Sequence, residues 1–411
     1  IHPQNIANCE IMWNSSNYKQ WEISCTKGDN YDSTPSHITS FFRPAWYCMV
    51  HRNNGWRFID EYGRSKSVEA YKFFQKKREQ ALFNKDYKTL VTLTRHYPFS
   101  PADALLPNPA NSKFDIGKIA EQIKKVVAAE QNGDLYVKTS DGEDIPIPTA
   151  GYLDWKDGVR FSEVVWRPNS THKKEGRHLI SVHPKNPNNV EKREDKQTNT
   201  IRFIPKNKMY KAGGDPVDFD EKETSGLNKL SDAATSVFQV STGLLPTENL
   251  FVHRYMYRLD LKDDIYEEML KVWWYYGCEC SVENNKFAIN NFMEKIGCSD
   301  FIANKLDTDK TKKITQRDLE QSGTNINAPT KKFFFEIYVS YVDDFIERIT
   351  DIVRLRQLFK VTPENLTSND LIAADFQALG LALVGTIRQS ATAQTSENAD
   401  FRVQLAKAIL G

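Results

Sequence analysis

Three acidic residues in the second half of the chain have the types and settings to hold hard cations. Asp215 closes a Lys-Ala-Gly-Gly-Asp-Pro run, Glu283 ends Cys-Glu-Cys-Ser-Val-Glu, and Asp370 opens Asp-Leu-Ile-Ala-Ala-Asp. Asp215 and Glu283 fall where strands are expected to end, and Asp370 falls at the start of an apolar helix. Carboxylates delivered from separate elements to one strand-end crevice suit Mg²⁺ or Mn²⁺. Such ions take oxygen ligands, keep several waters and use a few carboxylates plus substrate phosphate oxygens. Two of them roughly 3.5–4 Å apart stabilise both the attacking and the leaving oxygen of a phosphodiester. The pattern predicts a metal-dependent nuclease in which Asp215 bridges two ions while Glu283 and Asp370 each complete one side.

Rival sites are weaker on chemical grounds. Asp375 competes with Asp370 for the third carboxylate, but five positions along a helix turn it about 140° away. Glu279 alternates onto the same strand face as Glu283, yet it lies far back along the strand. The stretch Asp307-Thr-Asp309-Lys-Thr311, with Ile314 and Asp318, imitates a calcium loop. It has Lys312 where the tight turn needs Gly and Asp where the last ligand should be Glu, and its lysines repel a cation. Cys9, Cys25, Cys48 and His51 suggest zinc only loosely, because zinc sites show paired short spacings. Six cysteines in 411 residues fit reduced, buried thiols in a cytoplasmic setting better than a disulfide framework.

The elements that must position these groups can be read from periodicity and punctuation. A chain of 411 residues exceeds one ordinary core. No uninterrupted apolar run is long enough to span a bilayer. The formal net charge of +1 means that any polyanion must be met by local patches. The start, Ile-His-Pro-Gln-Asn, lacks an initiator Met and a signal sequence and reads as the interior of a longer protein. Mixed aromatic segments around Glu10–Trp13, Trp21–Cys25 and Phe41–Trp46 lead to a helix over Ser67–Phe83. Ser100 and Pro101 then open a short capped helix. A second amphipathic helix is expected over Phe114–Glu130. Short β runs come next at 135–137, 159–161, 164–166, 178–182 and 200–204, with Pro184–Thr200 reading as a polar loop. From Met209 the alternation becomes α/β: a strand over 209–214, a hairpin from 234–242 and 250–259, a helix over 264–276, a short strand over 279–283, and apolar helices over 331–349 and 371–387.

Taken together, the second half resembles the nuclease domain of the large terminase subunit of tailed bacteriophages, whose fold is RNase H-like. The resemblance is carried by Gly214-Asp215-Pro216 after the first strand, Ser231-Asp232-Ala-Ala-Thr before the second, Tyr276-Gly277 followed by Glu283-Asn284, and Asn369-Asp370-Leu-Ile-Ala-Ala. It implies Asp215, Glu283 and Asp370 as metal ligands, with Asp232 as a further one. Upstream, Phe58-Ile-Asp-Glu-Tyr-Gly and Arg95-His-Tyr-Pro-Phe-Ser-Pro-Ala-Asp-Ala-Leu are similar to the end of that family's ATPase domain. No Gly-x-x-x-x-Gly-Lys-Ser/Thr occurs, so the loop that cradles nucleotide phosphates is absent from this chain.

The resulting expectation is an α/β chain built on an RNase H-like mixed sheet flanked by helices. It divides into an ATPase tail and linker (1–110, α+β), a linker helix with a β-rich insertion (111–205), the nuclease domain (206–390) and a C-terminal tail (391–411). The resemblance implies a magnesium- or manganese-dependent endonuclease (two ions) that cuts concatemeric double-stranded DNA in the host cytoplasm, at the procapsid. Its partners would be DNA, the missing ATPase half, the portal and the small terminase subunit. Basic residues offered for the DNA backbone are Arg258, Lys286, Lys312, Lys313, Lys331 and Lys332, with Arg317, Arg354 and Arg356 behind them; the 172–178 run and Lys192-Arg193 read first as a solvated loop. Phosphate contacts of this kind position without reading sequence. The alternatives are a resolvase using the same carboxylates on branched DNA, and a non-catalytic DNA- or capsid-docking module.

Overall fold

The computed structural model describes residues 44–48, 52–53, 56–58, 62, 66–84, 86–100, 103, 113–169, 176–196, 200–218, 232–240, 248–284, 287–307, 315, 321–359, 361–362 and 369–386. Several expectations fall outside these residues: the earliest aromatic segments, the zinc alternative, most of the calcium-like loop, Lys286, Lys312, Lys313, Arg317 and the tail from 391. The chain separates into two compact units that meet in sequence between Ala120 and Glu121.

In the first unit, a two-residue hairpin pairs β1 (Arg52–Asn53) with β2 (Trp56–Arg57). Helices α1 (Ser67–Phe83) and α2 (Tyr87–His96) come after it. The sequence predicted α1 with the same bounds. It did not predict α2, whose threonines dilute the helical signal and whose N-cap is Asp86, accepting from the Thr89 N–H. Trp46, Phe58 and Ala70 form a small core, with Phe73 and Phe99 against it. Arg78 lies 3.7 Å over the Phe99 ring and pairs with Asp103 at 3.0 Å. The Asp103 N–H donates to Ser100 Oγ at 3.2 Å, which is the cap expected of Ser100.

Helix α3 (Ile116–Asn132) crosses the division and leads into the hairpin of β3 (Tyr136–Lys138) with β4 (Asp144–Pro146). The remaining strands are β5 (Thr149–Trp155), β6 (Val164–Pro168), β7 (His178–Ile180), β8 (Val190–Asp195), β9 (Thr200–Pro205), β10 (Tyr210–Asp215), β11 (Ala233–Gln239), β12 (Leu250–Tyr257) and β13 (Cys280–Val282). Between and after them come α4 (Lys262–Tyr276), α5 (Phe287–Lys295), α6 (Ala328–Phe345), α7 (Ile352–Leu358) and α8 (Asp370–Leu383). Seven strands form one mixed sheet in the order β13-β10-β11-β12-β7-β5-β6. Only the β10–β13 pairing within it is parallel. The fold is therefore mixed α/β, a mixed sheet flanked by helices.

Part of the β-rich stretch before residue 206 joins the central sheet. Strands β5, β6 and β7 extend the central sheet through β7 against β12. His178 on β7 sits between His253 of β12 (3.1 Å) and Glu268 of α4 (2.9 Å). Burial alone would push the Glu268 carboxyl up, but His178 and Lys271 hold it down at about 2. Two local expectations also change. Residues 159–161 are not a strand: a short 3-10 turn (Lys156–Gly158) precedes them and Phe161 takes a positive φ of 67°. The supposed loop contains β8, paired along its length with β9. Its alternating charges suit a hairpin wet on both faces, and Phe203 of β9, stacked on Phe161, anchors it.

β11 is buried at every residue, as a central strand covered on both faces must be. Helix α4 covers one face, where Trp273 donates to Thr235 Oγ1 at 3.0 Å. Helix α8 covers the other, over β10 and β11. That approach is close enough to demand glycine: a Cβ on Gly213 would lie 2.0 Å from the Ala374 carbonyl oxygen and 2.4 Å from the Ala378 nitrogen. Gly213→Ala is expected to destabilise the protein by about 3 kcal/mol or more, because a backbone clash cannot be relieved by a rotamer change. The urea midpoint of the variant measures it.

Candidate active site

The pleat decides which side chains meet. Gly213 on β10 packs under α8, whereas Gly214 faces Met269 of α4. Successive side chains alternate, so Asp215 projects to the α8 face. On β13, parallel to β10 with Gly213 beside Ser281 and Gly214 beside Val282, Ser281 Oγ donates to Gln377 of α8 at 2.6 Å. Glu283, two residues on, returns to the same face. Asp215 and Glu283 thus end neighbouring parallel strands, point to one side, and line one cleft with Gly214, Ile326, Phe334, Ala373, Phe376 and Gln377.

Glu283 is pinned by a backbone bridge to Thr324. The Thr324 N–H donates to the Val282 carbonyl and the Asn284 N–H donates to the Thr324 carbonyl, each at 2.9 Å. Gly323 makes this bridge with φ at +75°, and a Cβ there would stand 2.8 Å from the Val282 oxygen. Asp370 is the first residue of α8. Its Oδ2 accepts the Asp232 N–H at 3.1 Å, which ties the helix start to the beginning of β11, the strand beside Asp215 (Asp215 pairs with Ala234). Asp215, Glu283, Asp370 and Asp232 are therefore gathered at one end of the sheet. Only the first two line the cleft, and among the described residues no three His, Cys, Asp or Glu side chains stand close enough together to hold a metal ion.

Two neighbours are engaged elsewhere. Asp375 is fully buried, accepts from Arg354 at 2.6 and 3.1 Å and from the Tyr338 hydroxyl at 2.9 Å, and faces away from the cleft. Arg354 itself is buried, so it is a core ion pair and not a DNA contact. Glu279 pairs with Lys211 at 2.9 Å and with Lys208. Burial would raise its carboxyl, but the two lysines hold it below the usual range. It stands at the opposite end of the strand from Glu283. Cys278, Cys280 and Cys298 are buried free thiols, and burial pushes that of Cys298 up to about 12.

Of the proposed backbone contacts that are described, Arg258 comes directly after β12, at the same sheet end. Lys331 and Lys332 lie in the first turns of α6, with Lys332 exposed and 3.9 Å from Glu336. Gln377 was missed by the sequence reading. Its signal is helical spacing, since 370, 373 and 377 repeat along one face of α8.

The oxygen donors fit a hard cation. Mg²⁺ is normally held by one or two carboxylates and completed by water and substrate phosphate, which is what an Asp215–Glu283 pair in an open cleft can offer. Family models, curated proteins and solved structures contain no match to this chain.

Proposed function

We propose that the chain is a metal-dependent endodeoxyribonuclease, and that it serves as the nuclease part of a terminase-like DNA-packaging enzyme. The observation that carries the reading is the Asp215–Glu283 pair, delivered by adjacent parallel strands to one face and one cleft. Asp215 and Glu283 would hold Mg²⁺ or Mn²⁺, with Asp370 and Asp232 at the flank. A pair of such ions, when bound, supplies charge stabilisation at the attacking and leaving oxygens of a phosphodiester. Gln377, fixed by Ser281, presents an amide to the cleft, where it can orient a non-bridging phosphate oxygen. Phe334, Phe376 and Ile326 give the cleft an apolar wall that limits water around the reacting group.

The terminase assignment draws on the motif segments, which lie at the end of β10, across α4 and β13, and at the start of α8. It carries with it double-stranded DNA as substrate, an ATPase half, portal and small-subunit partners, and a place at the procapsid. No described helix is long and apolar enough to cross a membrane.

The test is incubation of supercoiled plasmid with the chain in Mg²⁺ or Mn²⁺, beside EDTA. Nicking and linearisation in both metals and none in EDTA are expected. A folded chain that cuts in neither metal defeats the nuclease reading, and a strong preference for a four-way junction would reassign it to branched DNA.

A further inference from the structure

The carboxylate end of the sheet continues past the cleft into a differently charged rim. Strands β10, β11, β12 and β7 are neighbours in that order. Asp215 pairs with Ala234, Ala233 with Tyr257, and Tyr255 with His178. Tyr257 at the end of β12 and Arg177 just before β7 therefore stand at the same end of the sheet as Asp215. Three strand spacings separate β7 from β10, roughly 14 Å at about 4.8 Å each. That span corresponds to about four steps of duplex rise at 3.4 Å.

Tyr257 is 43% exposed, unusual for an aromatic residue at the end of a core strand. The Arg177 guanidinium lies 4.1 Å from its ring centroid. Arg177 is exposed and forms no hydrogen bond or ion pair with any described residue. Its setting differs from that of Arg354, which is consumed by Asp375, and of Arg202, which is paired with Asp300. A planar guanidinium laid on an aromatic face loses less freedom on binding, and its fork matches phosphate oxygens. Apart from Arg258, the rest of this rim carries Asp215, Asp232, Glu283 and Asp370, so a polyanion crossing it needs a further cation beyond the cleft.

Resting on the nuclease reading above, we infer that Arg177, held by Tyr257, is a backbone phosphate site for the nucleic acid that lies across the Asp215–Glu283 cleft. The ligand is a polynucleotide phosphate, contacted without reading the base. Tyr257 is one residue out of step with the Asp215–Ala234 pair and shares the α4 face with Tyr255, so a polynucleotide in the cleft reaches Arg177 by passing over the end of the sheet, beside Arg258.

The experiment is the affinity of the whole chain for a labelled duplex as a function of salt, with Ca²⁺ in place of Mg²⁺ so that binding is read without turnover. Each phosphate contact contributes about 0.9 to the slope of log K against log salt. Arg177→Ala is expected to weaken binding about tenfold and to lower the slope by about that amount. Arg177→Lys should restore the slope with only part of the affinity. Tyr257→Ala should lose affinity at nearly unchanged slope, and Tyr257→Phe should match the parent. A parent that binds and cuts DNA while Arg177→Ala keeps its slope overturns this site alone. A Tyr257→Ala variant that binds like the parent removes the platform role. A parent that neither binds nor cuts DNA overturns the nuclease reading, and this site with it.

Discussion

Asp215→Asn is expected to reduce Mg²⁺-dependent plasmid nicking by at least about 10³-fold, with the unfolding midpoint nearly unchanged. The side chain is only partly buried at a strand end, and Asn preserves its shape, so packing has little to lose. What disappears is a formal charge and an anionic oxygen donor facing the cleft. Metal-derived charge stabilisation is worth several kcal/mol, and each 1.36 kcal/mol is a factor of ten in rate. Glu283→Gln should fall nearly as far, since it lines the same cleft from the adjacent strand. Asp370→Asn is the informative third member. Its carboxylate already accepts the Asp232 N–H, and an Asn oxygen can keep that bond. An equal collapse for Asp370→Asn would mean that substrate and ions draw all three carboxylates together. Near-parent activity would mean that Asp370 serves the start of α8 only. Initial nicking rates, read beside a thermal melt of each variant, separate these outcomes.

Arg354→Ala is expected to be the most damaging single change to stability, at about 3–5 kcal/mol, the usual result of stranding one member of a buried ion pair. Arg354 and Asp375 have side chains only 3% and 0% exposed. Burial alone would favour the neutral guanidine, but Asp375 and Asp351 reverse this and raise its pKa. The pair joins α7 to α8, and Arg354 reaches Ser236 of β11 at 3.0 Å. Removing the arginine leaves the Asp375 carboxylate without its strongest partner inside the core. A matched Arg354→Met, Asp375→Leu replacement should recover part of the loss. It will not recover all of it, because the Tyr338 and Ser236 hydroxyls lose bonds as well. Urea denaturation of the single and double variants measures both effects. Because α8 carries Asp370 and Gln377, the single variant should also lose nicking activity at temperatures where it remains mostly folded.

The parts of this site that were legible in the sequence are those with a local cause. Gly-Gly-Asp-Pro marks a strand that must tolerate a close helix and then stop, and Gly213 under Ala374 is the physical reason. The helical angle that separates Asp370 from Asp375 is likewise a property of one element, and Asp375 does face away, toward Arg354. What escaped depends on partners remote in the chain. Arg354 reads as a surface cation because nothing in Ile352–Leu358 announces Asp375 or Ser236. Strands β5 to β7 show period-two alternation, but alternation does not say which strand lies alongside, so their membership of the central sheet was hidden. β8 reads as a loop because Glu191, Lys192, Arg193 and Glu194 have no apolar face. Its pairing is set by β9 and anchored through Phe203.

The parallel contact of β10 with β13 has a further consequence in time. The chain leaves Asp215, builds β11 and β12, and traverses α4 before Glu283 can dock beside it. No contiguous fragment short of this closure holds both carboxylates. Contacts of such long loop length form after local structure has lowered their entropic cost. A nascent or partly unfolded molecule therefore carries Asp215 without Glu283. If the pair cuts DNA, the cutting centre is acquired only on complete folding, and no intermediate that precedes it can cut.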